Sequence, residues 1–145
     1  MDKDEINEGY LGFIQDVITR MGQNSFQTKE WCITVVSALL AILLSQEDSE
    51  LKALSGWISS VAAFLFCLLD TYYLYMERGY RVLYNIAAGL ESGKTAKRYD
   101  MRVPDSEMRF RNYLKAFFSM TTGAFYFAII ALSIVLTCVI SCHCD

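Results

Sequence analysis

The chain is poor in the residues that build most soluble functional sites. Of its 145 residues one is proline, one is histidine and eight are glycine. So little proline and glycine leaves scant material for long disordered linkers. The lone histidine, His143, stands among Cys138, Cys142 and Cys144, third from last in the sequence. That argues against Ser-His-Asp chemistry, and no histidine and carboxylate cluster suits a metal. No enzyme, cofactor or metal is expected. Basic residues are scarce in residues 1–8, which are acidic, and the first long apolar run begins only near Trp31, so no secretory signal is expected. The largest deficit is of charge: residues 116–142 contain none in 27 positions.

That much unbroken apolar surface has nowhere to go in water. A helix rises about 1.5 Å per residue, so roughly 20 residues cross a hydrocarbon core of ~30 Å. Two shorter apolar runs, 31–45 and 57–76, precede it. With 54% apolar and 14% aromatic residues, the pattern predicts an all-α polytopic membrane protein forming one domain over 1–145.

Tyr10, Phe13, Ile14, Val17, Ile18 and Met21 recur at helical spacing, which predicts an amphipathic helix over 5–22. Its polar face holds hardly any Lys or Arg, which favours packing on the rest of the protein over adsorption to lipid. Gly22 to Asn24 should end it, and Asn24 with Gln27 has the form of a capping box opening the next helix. The first span then covers 25–45, with Trp31 suited to an interface, and 46–56 forms a short polar turn. The second span, 57–76, continues as helix to 88. Gly89 to Gly93 ends it, 89–105 is a loop, and Ser106 opens a last helix running into the third span, 116–142.

Nine of the 13 Lys and Arg fall in 77–115, whereas 46–56 holds only Lys52 against three acids. The positive-inside rule places the long loop in the cytoplasm, the N-terminus inside and the C-terminus outside. A two-span arrangement, with 31–45 buried instead of spanning, is the alternative.

Asp70 is an ionisable group near the end of an apolar run, where it is costly. Asp70, Tyr73, Glu77, Arg81 and Tyr84 share one face of a continuous helix, and Glu77 and Arg81 are an i, i+4 pair in the favourable order. This polar stripe either joins neighbouring helices as a structural ion-pair seam or forms the mouth of a water-filled pore. Small and hydroxyl residues in the spans, including Ser59, Ser60, Thr122 and Gly123, serve close helix packing or pore lining. Lys94, Lys97, Arg98, Arg102, Arg109 and Arg111 fix topology or contact an anionic ligand or lipid. Gly89, Gly93, Lys94 and Thr95 have one residue too few between the glycines for a phosphate-binding loop, and they follow a helix. Cys138, Cys142, His143 and Cys144 make a poor zinc site, leaving disulfide pairing or no role.

Two segments carry a resemblance. Residues 20–31, with Arg20-Met21, Asn24-Ser25-Phe26, Lys29 and Trp31, and residues 69–84, with Leu69-Asp70, Tyr72-Tyr73-Leu74, Glu77-Arg78, Tyr80-Arg81 and Leu83-Tyr84, resemble a group of small bacterial membrane proteins. These share an amphipathic helix, a tight transmembrane hairpin and an LDxYYLxxER helix extension. The layout is similar to SLATT-type transmembrane effectors of bacterial conflict and antiphage systems. The resemblance implies an inner-membrane effector that permeabilises the bilayer once a cytoplasmic sensor protein or nucleotide signal triggers it. The expected partners are the lipid bilayer and further copies of the chain, and nucleic acid is not expected. The rival expectation is an accessory subunit that docks a cytoplasmic or membrane partner.

Overall fold

The structure, a computed structural model, describes residues 3–45, 49–91, 93 and 99–142. Among them the chain is all-helical with no strand. Its elements are α1 (Lys3–Ser45), α2 (Ser49–Ala87), α3 (Phe110–Phe117) and α4 (Met120–Cys142). Helices α1 and α2 form a long antiparallel hairpin, and α3 and α4 pack on α2.

The helix end expected at Gly22 to Asn24 is absent, because α1 runs unbroken through it for 43 residues, about 64 Å. Tyr10, Ile14, Ile18, Ser25, Thr28, Cys32 and Val36 form one buried stripe that crosses the glycine, so packing against α2 rewards continuity more than the local cap signal rewards a break. Most of the expected turn over 46–56 is helix, and residues 46–48 lie outside the described residues. Helix α2 already begins at Ser49, since Glu50, Leu51, Lys52, Ala53 and Leu54 are good helix formers. It ends as expected at Gly89, whose φ of 73° places it in the left-handed region. The Gly89 amide donates to the Ile86 carbonyl and the Leu90 amide to that of Asn85, the pairing of a Schellman cap.

The last helix does not start at Ser106 and run on. Residues around Pro104 form a turn, closed by the Glu107 amide on the Pro104 carbonyl at 2.9 Å, and α3 begins only at Phe110. A kink at Phe118 then separates α3 from α4. The amides of Thr122 and Gly123 both reach the Ser119 carbonyl, so α4 starts afresh at this elbow.

The core has two parts. Cys32 and Val36 of α1, Ala63 and Cys67 of α2 and Tyr126 of α4 form one cluster. Tyr10, Ile14, Ile18 and Leu83 form the other, extended by Tyr80, Tyr84, Ala87 and Met101. Small side chains along α2 permit close approach: a Cβ on Gly56 would lie 2.9 Å from Thr137 Cβ on α4. Among the described residues two helices are long and apolar enough to cross a membrane, α2 over Gly56–Ala87 and α4 over Met120–Val139. Helix α1 is not among them, since its apolar run starts only after Lys29 and Glu30.

Candidate functional site

The hairpin encloses a charge. Asp70 is 0% exposed, carried on the face of α2 that meets α1. Its Oδ2 is ion-paired with Lys29 Nζ and takes no further hydrogen bond, while its Oδ1 accepts from Ser25 Oγ. Lys29 Nζ also donates to Ser25 Oγ at 3.0 Å, closing a three-residue ring between the helices. Ser25 and Lys29 are one turn apart on α1, so both reach the same carboxylate. The Lys29 side chain is 21% exposed, so its charge keeps an opening to the outside that Asp70 lacks.

One turn pair further along α2, Glu77 Oε1 accepts from Arg81 Nε at 2.9 Å and Nη2 at 2.7 Å. The Glu77 side chain is 15% exposed and faces Gly22 of α1, whereas that of Arg81 is 63% exposed and leans outward. Tyr84 packs on the Tyr10, Ile14, Ile18 and Leu83 cluster, and Tyr73 sits half-buried in edge contact with Tyr72. Asp70 and Glu77 are turned into the α1–α2 seam. Ser25 and Lys29 were missed as partners in the sequence. The available signal was a serine and a lysine one turn apart at the start of the first apolar run, facing the single acid of the second.

Of the basic cluster, Lys94, Lys97 and Arg98 lie outside the described residues. Arg102 turns to Asp100, with Nε 3.5 Å from Oδ1, while Arg109 and Arg111 are exposed at the start of α3. The remaining polar groups near the seam differ in how well they are met. Ser60, Thr71, Ser133 and Thr137 each donate to a carbonyl one turn back in their own helix. The buried hydroxyls of Thr122 and Tyr126 take no hydrogen bond. Among the described residues no group of three or more His, Cys, Asp or Glu is placed to hold a metal. Cys138 is a free, exposed thiol; the Cys142 side chain, His143 and Cys144 lie outside the described residues.

Outside the apolar segments, Tyr10 ties α1 to the connection between α2 and α3. Its hydroxyl donates to the Asp100 carbonyl at 2.6 Å and its ring meets that of Tyr99 at 5.8 Å. Burial pushes the Tyr10 phenol above its ordinary pKa, and the Asp100 charge adds to the rise.

Comparison with protein-family profiles, with curated proteins and with solved structures gives no match.

Proposed function

We propose that the chain is a three-span protein of the bacterial inner membrane that self-associates and acts, without enzymatic chemistry, as a triggered effector permeabilising the bilayer. The observation that carries this reading is the enclosed carboxylate of Asp70. An ion pair whose carboxylate is fully buried contributes little net stability, because desolvation offsets the attraction. Such a pair inside an apolar hairpin is suited to a bistable role: closed, it holds α1 to α2, and parted, it presents Asp70, Glu77 and Lys29 as a hydrated path. The SLATT-type resemblance points the same way. So does the apolar surface: Trp31 and Ile42 on α1, Trp57, Leu65 and Leu69 on α2, and Phe127 and Val135 on α4 are all exposed, at matching levels of the bundle. This matching supports α1 as the third crossing helix.

The second reading, an accessory subunit, is favoured by the same closure, since every charge of the seam already has an intramolecular partner. Membrane potential in cells producing the full chain separates the two. At equal membrane levels, wild-type chain should depolarise cells, Asp70→Leu should depolarise them less because it removes the polar lining, and Lys29→Met more because it strands a carboxylate that must be hydrated. Unchanged potential in all three favours the docking subunit.

A further inference from the structure

The elbow between α3 and α4 joins two cavities of opposite character. On the α2 extension a polar cavity of about 220 Å³ is bordered by Arg78, Glu107, Asn112 and Lys115. Beside it, an apolar cleft of about 430 Å³ runs between α2 and α4 from the elbow to Phe64 and Ile130. They meet at one hydrogen bond: Arg78 Nη2 donates at 2.9 Å to Ser119 Oγ, and Ser119 also lines the cleft. We infer that this composite site holds one anionic phospholipid, its phosphate against Arg78 and Lys115 and one acyl chain in the cleft.

Charge complementarity sets the class of ligand. Neither Arg78 nor Lys115 is paired with a carboxylate among the described residues, and Glu107, the one acid of the cavity, is engaged by Asn112 Nδ2 at 3.0 Å. Two cations against one acid leave a positive cavity, and an arginine guanidinium is well matched to a phosphate. The cleft supplies the other half. Its walls include the exposed rings of Phe118 and Phe127 and the exposed Met120, an apolar surface that a soluble anion would not fill. Arg78 and Phe64 are 14 positions apart on α2, about 21 Å along the axis, whereas one leaflet of the hydrocarbon core is about half of ~30 Å. The span therefore matches a headgroup plus one chain. Such a lipid would brace the elbow, where α3 and α4 share only a kink, and so couple the α2 extension to α4.

The site rests on the membrane reading of the chain, and its test separates the two. Native mass spectrometry of the full chain, released from bilayers of mixed phosphatidylglycerol and phosphatidylethanolamine, should show one phosphatidylglycerol retained per chain. The pair Arg78→Gln and Lys115→Gln should lower that retention about tenfold or more, as loss of two charge-assisted contacts requires. Ala124→Phe, which fills the cleft and leaves the charges alone, should lower it too. Equal retention of the zwitterionic lipid, or unchanged retention in either variant, overturns the site. If an alkaline carbonate wash strips the chain from bilayers, the membrane reading falls and the site with it; a chain that stays embedded without bound anionic lipid overturns the site alone.

Discussion

At the scale of residues, the Lys29–Asp70 pair is asymmetric, and its variants should be too. Lys29→Met leaves a fully buried carboxylate with only Ser25 beside it, at a cost of about 3–5 kcal/mol to the closed hairpin. Asp70→Leu leaves a lysine with an opening to the outside, and should cost less. The double variant Lys29→Met, Asp70→Leu should regain most of the loss, because apolar replacements carry no desolvation penalty. Thermal unfolding in mild detergent orders the three; a double variant as weak as Lys29→Met would argue against a paired charge. Tyr10 gives a second test. Since the folded state raises its pKa, its contribution is fully present below pH about 10 and is lost as pH rises through the folded value. In a tyrosinate titration, Tyr10→Phe should remove a component that ionises later than the exposed tyrosines. A titration that loses an ordinary component instead would show Tyr10 undocked. Asp70 was legible because a lone acid in an apolar run is conspicuous. Its partners were not, since only the antiparallel register brings Ser25 and Lys29 to it from 45 and 41 positions away.

At the scale of elements, spacing revealed the helices and the end of α2 at Gly89 but misjudged other ends. Asn24 and Gln27 resemble a cap and Gly22 a stop, yet a buried stripe that continues through them overrides both signals. The break at Phe118 was hidden for the opposite reason, because residues 116–142 are uniformly uncharged and the Arg78 contacts at the elbow reach the Lys115 carbonyl and Ser119 from 37 and 41 positions away. Two glycines should respond in opposite directions. A Cβ on Gly22 meets only Glu77 Oε2 at 3.8 Å, so Gly22→Ala should stabilise the hairpin by about 0.5–1 kcal/mol. Gly56→Ala forces its Cβ against Thr137 and should loosen α4 from α2. Unfolding of both variants checks this, and a destabilising Gly22→Ala would mean that α1 bends there.

At the scale of the whole molecule, α1 and α2 are each about twice as long as a hydrocarbon core is thick, so the hairpin must project beyond any bilayer it crosses. One end of the hairpin carries Tyr10, Leu83 and the 99–101 segment of the connection to α3. Composition made the all-helical class plain. It did not settle how many helices cross, because α1 mixes a short apolar run with Lys29 and Glu30. The proposal requires three crossings, which sets the two ends of the chain on opposite sides. Topology reporters fused after Lys115 should read cytoplasm, and those placed within 46–56 or after Asp145 should read outside. A cytoplasmic reading after Asp145 would contradict the three-span account.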